Sequence, residues 1–451
     1  MSGAANEFAE LLAEYRRHAS SDRVGARRAA RRYRALARRR GDAVRDAEGA
    51  LLLAEVEAGA GRLRVALERF EEAVGGFERA GDARRALAAR IGRVQTLAAL
   101  GDGGAVRREI RSLRAAATEP VTRAYAEIAI GTALATVGEE VASAECYETA
   151  LAILGRRKRP ESIAGARATA RLNLGVRRAR LGRLAVARAD LTGALEHFEN
   201  AGMRTMAAIA RHDRGWTLGL MGRLVEAYED LRAARKDLEE LGDRRRAALV
   251  TLDEAELALR LGQAEEAKLR AREAARRLIR LDAVPDAARS RLIEARAYDA
   301  LGRNRQAAAI AQRAKEGFEA AGDAAGAALA DAWTGADPAK SERILRDRGH
   351  LLAALEMLVL RARSLSPGRG AALLRREAKR YPALFRRWLR PEILRLEASG
   401  AEPAEAIRAL RRAVEATEDL RMRAPTGSLR ASVLASRLSV YHELARALLA
   451  R

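Results

Sequence analysis

The chain has little of the residue types that build cross-links and metal sites: one cysteine, Cys146, and five histidines, His18, His197, His212, His350 and His442, in 451 residues. A single cysteine excludes an internal disulfide and a cysteine-built zinc site. The histidines are dispersed and form no HExxH or other paired pattern, so no metal or cofactor is expected. His212 stands beside Asp213, but adjacent helix residues point about 100° apart and make no dyad. A phosphate loop is missing as well: Gly101-Asp-Gly-Gly104 is too short for GxxxxGK[ST] and reads as a turn between helices. Catalysis is therefore not expected. Prolines number 9 and aromatics make up 4 %, while Ala, Leu, Arg and Glu dominate, a composition that favours helix throughout. No run of about 18 apolar residues appears, which leaves nothing to span a membrane. The first ten residues lack a basic start and an apolar core, so they form no secretory signal, and the cytoplasm is the expected location.

Negative charge is also in short supply. Lys and Arg together number 84 against 61 acidic residues, for a net +23. Only Lys158, Lys236, Lys268, Lys315, Lys340 and Lys379 are lysines, so the chain is arginine-rich. Codon drift in a GC-rich genome produces the same skew. Charge of this kind supports attraction to acidic partners and says nothing about fold.

What the chain does have is a beat. Leu181-Gly182, Met221-Gly222, Leu261-Gly262 and Leu301-Gly302 recur every 40 residues, three of them continuing into Arg. A second stop follows about 20 residues later, at Asn200-Ala201-Gly202, Leu241-Gly242-Asp243 and Ala321-Gly322-Asp323. A fixed period of this size marks a repeat architecture, each unit being two helices closed by glycines suited to a left-handed residue. Seven residues before the loop glycine lie Gly131, Gly175, Gly215, Ala255 and Ala295; five after it lie Ala187, Ala227, Ala267 and Ala307. Small residues at those offsets are needed where two helices approach closely.

These offsets resemble the tetratricopeptide (TPR) family in its longer form, as in kinesin light chains, over roughly Asn6 to Asp323. The resemblance implies an all-α, right-handed superhelical solenoid of about eight TPR-like hairpins. Helices are expected at Glu7–His18, Val24–Arg40, Ala43–Ala58, Leu63–Ala80, Ala83–Leu100, Ala105–Ala117, Pro120–Val137 and Glu139–Leu154, with an insertion at Gly155–Pro160. After Asp323 the beat is lost and Thr334–Pro338 reads as a linker. The expected division is a repeat array over 1–335 and a less regular helical region over 336–451. The latter's helices are expected at Pro338–Arg348, Leu351–Ser364, Gly370–Tyr381, Pro382–Leu389, Pro391–Ser399, Pro403–Met422 and Ser428–Leu449. Ala406–Leu420 and Leu429–Leu444 look like the helices preceding the caspase-like peptidase of CHAT proteins, which implies a sensor or adaptor for such an effector. That family's His–Cys dyad has no counterpart here, since the one cysteine lies on a repeat helix.

In TPR arrays the first helix of each hairpin (helix A) lines a groove that holds a protein segment. Nine residues before the loop glycine come Asn173, Asp213 and Asp253; six before it come Thr132, Trp216, Glu256 and Arg296. The resemblance implies that Asn173 bonds an extended ligand's backbone, an amide being both donor and acceptor. Asp213 and Asp253 depart from asparagine and would favour a basic ligand. Trp216 is the candidate anchor, since Trp is enriched in binding hot spots; the alternative is packing between neighbouring helices. Two basic stretches, 16–45 and 361–395, offer an alternative function as a nucleic-acid adaptor, with Arg375, Arg376, Lys379, Arg380, Arg386 and Arg387 as the patch and Tyr381, Phe385 and Trp388 interleaved. The competing reading is a solvated helix face with its aromatics turned inward, because they recur at core spacing.

Overall fold

A computed structural model describes residues 2–19, 22–155, 161–181, 183–221, 223–347, 351–381, 383–423 and 440–450. Every element among them is helical and none is a strand. Contacts divide the chain into two compact units, Met1–Leu181 and Gly182–Arg451. The first holds α1 (Ser2–His18), α2 (Arg23–Arg39), α3 (Ala43–Gly59), α4 (Leu63–Arg79), α5 (Ala83–Ala99), α6 (Gly103–Ala116), α7 (Pro120–Thr136), α8 (Glu140–Gly155) and α9 (Glu161–Arg180). The second begins with α10 (Leu184–Asn200), α11 (Arg204–Leu220), α12 (Leu224–Glu240), α13 (Arg244–Arg260), α14 (Ala264–Ile279), α15 (Val284–Ala300) and α16 (Asn304–Ala320). It continues with the shorter α17 (Ala324–Asp331), α18 (Pro338–Asp347), α19 (Leu351–Arg363) and α20 (Pro367–Glu377), a 3-10 turn at Ala378–Arg380, α21 (Ala383–Ala398) and α22 (Pro403–Arg423). Residues 440–449 are helical too.

Helix ends follow from one residue each. At the close of α13, Gly262 has φ +75°, its N–H donates to the Leu259 carbonyl at 3.1 Å, and the Gln263 N–H donates to Ala258 at 2.9 Å. That pair of bonds satisfies carbonyls the helix leaves open, and a residue with a Cβ is strained there. Gly138, Gly202, Gly242, Gly302 and Gly322 share the positive φ, while Gly182 and Gly222 lie outside the described residues. One stop departs from glycine: Asp282, one period after Gly242, holds φ 55°. Aspartate is among the few L-residues that visit this region.

The seam of small residues is where the helices touch. A Cβ on Gly215 would sit 3.1 Å from Leu231 Cγ and 3.2 Å from the Ala227 carbonyl oxygen, and one on Gly131 would sit 2.9 Å from the Tyr147 ring. Ala187, Ala227, Ala255, Ala267 and Ala295 are fully buried. The apolar contacts form a series of local cores rather than one. Ala208, Leu218, Ala227, Leu231 and Leu238 pack with Ala247, Val250 and Leu257 of the next hairpin. Burying such a leucine is worth roughly 1.5–3 kcal/mol, so each hairpin is held by its neighbours.

Beyond α17 the helices vary in length, and two expectations need correction. The helix expected from Gly370 begins at Pro367, because proline serves as a first helical residue whose missing N–H costs nothing. The break expected at Pro391 does not occur: α21 runs through it. The lost backbone bond is tolerated next to a well-anchored turn, where Glu392 bonds both Arg363 and Arg395. Of the second CHAT-like segment, 429–439 lies outside the described residues, as do 156–160 of the insertion and His350.

Candidate functional site

The groove residues divide between the two units. Thr132 and Asn173 belong to the first, where both are half-buried. The Thr132 hydroxyl lies 2.9 Å from the Tyr147 hydroxyl and donates to the Ile128 carbonyl at 3.0 Å, so it is engaged within its own hairpin. The second unit carries Asp213, Trp216, Asp253, Glu256 and Arg296, all half-buried. Three of these come together. Trp216, Asp253 and Glu256 line one notch with Gly215, Gly219, Leu220, Leu231 and Leu257, about 20 Å3 in volume. Gly219, with no side chain, leaves space in it: a Cβ there would sit 3.6 Å from Leu257 Cδ1. Arg296 is placed apart from the notch, its guanidinium 5.8 Å from the centre of the Trp333 ring.

Beside the notch stands a pair that the sequence reading missed. His212 Nε2 lies 2.7 Å from Asp253 Oδ2, and each side chain is 13 % exposed. Burial works against protonating the imidazole, but the hydrogen bond and charge of Asp253, with Asp213 adding to them, raise its pKa above the ordinary value despite Arg246. Arg289 approaches the other Asp253 oxygen at 3.9 Å. A signal existed in the repeat register. His212 is ten residues before its loop glycine and Asp253 nine before the next, so the beat brings them to facing positions on consecutive A helices.

Much of the arginine excess is absorbed by ion pairs. In the first basic stretch Arg27 pairs with Glu57, Arg32 with Glu14, Arg34 with Asp46 and Glu72, Arg38 with Asp46, Arg40 with Glu7 and Arg45 with Asp42. In the second, Arg375 meets Glu397, and Arg376 and Arg380 share Glu377. Tyr381 is buried, its hydroxyl donating to Glu342 at 2.6 Å. The side chains of Phe385, Arg386, Arg387 and Trp388 lie outside the described residues. Cys146 is buried beside Arg114, and burial pushes its thiol up to about 12. No group of three metal-ligating side chains occurs among the described residues, and none of their helices is long and apolar enough to cross a membrane.

A larger cleft, about 950 Å3, opens between α12 and α14 over the floor of α13, lined by Val225, Tyr228, Leu257, Leu261 and Leu269 with Glu254, Glu265, Glu266 and Arg270. Its charged groups are paired: Glu254 with Arg235 and Arg270, Glu265 with Lys268 and Arg303, Glu266 with Arg270.

No family model matches the chain, and no curated protein matches it in sequence. Solved structures match it in fold. A Rap protein complexed with Competence and Sporulation Factor aligns with a TM-score of 0.52 at 12 % identity, over 90 % of this chain and 99 % of that one. The Rap conjugation gene regulator of plasmid pLS20, in complex with the Phr* peptide, gives 0.48 at 16 % identity over 80 % and 95 %. A STAND ATPase with a tetratricopeptide repeat sensor from Pyrococcus horikoshii gives 0.43 at 15 % identity over 71 % and 53 %. At such identities the likeness is one of fold, a stack of TPR-like helical hairpins.

Proposed function

We propose that the chain is a non-catalytic interaction module that holds a protein segment against the A helices of its second unit, with Trp216 as the anchor. The observation that carries this reading is convergence. Repeat register alone singled out Trp216, Asp253 and Glu256, and the three line one notch between consecutive A helices. An aromatic wall with carboxylates beside it offers a segment both apolar area and polar registration. The fold neighbour that binds Competence and Sporulation Factor supports a stack of hairpins as a frame for such a role. We further propose that the output is control of an effector of the caspase-like peptidase class, on the resemblance carried by 406–420.

The test is affinity capture from the native host with the whole chain as bait and the Trp216→Ala chain alongside. Proteins held by the first and lost by the second are mapped to a segment, whose affinity is then measured by calorimetry. Trp216→Ala should weaken it by about 2 kcal/mol, roughly thirtyfold, with an unchanged melting curve. Equal binding by the two chains, or a large fall in melting temperature, refutes the anchor. A captured set without a peptidase of that class refutes the effector reading while leaving the anchor standing.

A further inference from the structure

One position breaks an apolar column of the repeat. Ten residues before the loop glycine stand Leu51, Ile91, Ile128, Leu172, Leu252 and Leu292, and at the same place on α11 stands His212. The register pairs this position with the one nine residues before the next loop glycine. Between α13 and α15 those two are Leu252 and Ile293, which share one apolar cluster. Between α11 and α13 they are His212 and Asp253, 2.7 Å apart and each 13 % exposed. An aliphatic pair has one charge state at every pH, whereas an imidazole beside a carboxylate has two.

We propose that the α11–α13 junction is a proton-dependent hinge in the stack, closed when His212 is charged and loosened when it is neutral. With the proton on, imidazolium and carboxylate form a largely buried ion pair that joins two successive hairpins. With the proton off, a hydrogen bond is the most that remains on that side. Asp253 is still answered from the other side, where the Arg289 guanidinium of α15 lies 3.9 Å from its second oxygen. The loss therefore falls on the α11–α13 contact and spares the α13–α15 contact, which Leu252 and Ile293 hold. In a stack whose units touch only their neighbours, the one weakened junction is where the array opens. Burial opposes the proton on His212, but the hydrogen bond and charge of Asp253 outweigh it and raise the imidazole above its ordinary 6.5. The ion pair's contribution is thus complete below that ordinary value and lost as pH rises through the raised one.

The groups around His212 leave it as the titrating member. Its own helix brings Asp213; α13 brings Asp253 and Arg246, the latter paired with Asp243 at 2.7 Å; α15 brings Arg289. On the flanking helices, Glu199 of α10 and Asp237 of α12 are committed to Arg211, and Asp230 of α12 to Arg214. The carboxylates stay ionised and the guanidiniums stay charged across the range where an imidazole titrates. One further imidazole stands on α10, that of His197, with its ring against Phe198.

Hydrogen exchange of the whole chain, followed by mass spectrometry across the imidazole range and corrected for the intrinsic pH dependence of exchange, tests this beside nuclear magnetic resonance with labelled histidine. Protection of α11 and α13 should fall as pH rises, by at most tenfold per pH unit, while that of α15 and α16 holds. The His212 resonance, separate from that of His197, should titrate above the ordinary range with its midpoint within the fall. His212→Gln keeps a donor toward Asp253 and cannot titrate, so protection in that variant should not follow pH. The double variant His212→Leu, Asp253→Ile copies the Leu252–Ile293 pair and should lose the pH dependence as well. If either variant fails to fold, the other carries the comparison. Parent protection that is flat with pH, a fall that persists in a folded variant, or a His212 midpoint at or below the ordinary range overturns the proposal. None of these readouts needs a bound segment, so a failure here leaves the segment-binding reading standing.

Discussion

Glu392 offers a measurement whose size and sign both follow from the structure. Its side chain is fully buried, and two guanidiniums reach it: Arg363 through two bonds at 2.8 and 3.1 Å, and Arg395 at 2.7 Å. Burial alone would raise its pKa, but the hydrogen bonds and charges of Arg363 and Arg395 outweigh it and hold the carboxyl at about 2, against an ordinary 4.5. At about 1.4 kcal/mol per pH unit, that difference corresponds to on the order of 3 kcal/mol of stability. Because the folded pKa is depressed, the contribution is complete above pH 4.5 and disappears as pH falls toward about 2. Removing one partner of a buried pair costs a comparable amount, about 3–5 kcal/mol, since the other charges are left unanswered. Glu392→Gln should therefore loosen α19 and α21, through Arg363 and Arg395. Hydrogen exchange read by mass spectrometry is the suitable assay, because stacked hairpins open locally and a single melting temperature averages over them. Near neutral pH the protection of α19 and α21 should drop about a hundredfold in the variant, with α11 to α14 unaffected. The gap between variant and parent should close as pH falls from 4.5 to about 2. A gap that persists in acid, or one that is absent at neutral pH, refutes the reasoning.

Two helix stops predict effects of opposite sign. Gly262→Ala places a Cβ at φ +75° and should destabilise by about 1 kcal/mol, whereas Asp282→Gly relieves a residue at φ 55° and should stabilise by about 0.5–1 kcal/mol; denaturant midpoints with unchanged slopes check both. Cys146, buried and with its thiol pushed up to about 12, should resist iodoacetamide in the native chain and react once the chain is unfolded, as read by mass spectrometry.

The helical hairpins were legible because glycine is a local instruction. A residue that adopts positive φ at no cost, repeated on a fixed beat, marks where each helix stops, and α3, α4, α5 and α7 end within two residues of the expected positions. The seam was legible for a related reason, since Gly131 and Gly215 stand where a Cβ would meet the facing helix. Where a residue's role is set by distant partners, the sequence misled. Pro391 marks an expected break that α21 runs through beside the anchored Glu392, whose partner Arg363 lies on α19. The notch was half legible: register picked its wall residues, but the space comes from Gly219 and the His212–Asp253 pair from the offset between consecutive A helices. The α12–α14 cleft was not legible at all, because it is a gap between helices rather than a residue pattern.

Arginine was the harder case, and the repeat explains why. The position eight residues before the loop glycine and the one eight after it face each other across a hairpin. In the α11–α12 hairpin they hold Arg214 and Asp230, joined by two bonds at 2.7 and 2.8 Å. In the α13–α14 hairpin the same positions hold Glu254 and Arg270, at 2.6 Å, with the signs exchanged. A count of charge along the chain cannot see this, because the partners lie 16 residues apart and either order satisfies the contact. In these two hairpins either order of signs satisfies the contact, while the same positions hold Leu174 and Asp190 around Gly182 and Glu294 and Ile310 around Gly302, so neither position carries a constant residue type for a pattern to find. Glu254 is buried and also meets Arg235, which makes its pairing a requirement of folding rather than decoration of a surface. Arginines spent in this way hold helices together, and the ones that remain outside such pairs are those that determine what the surface attracts.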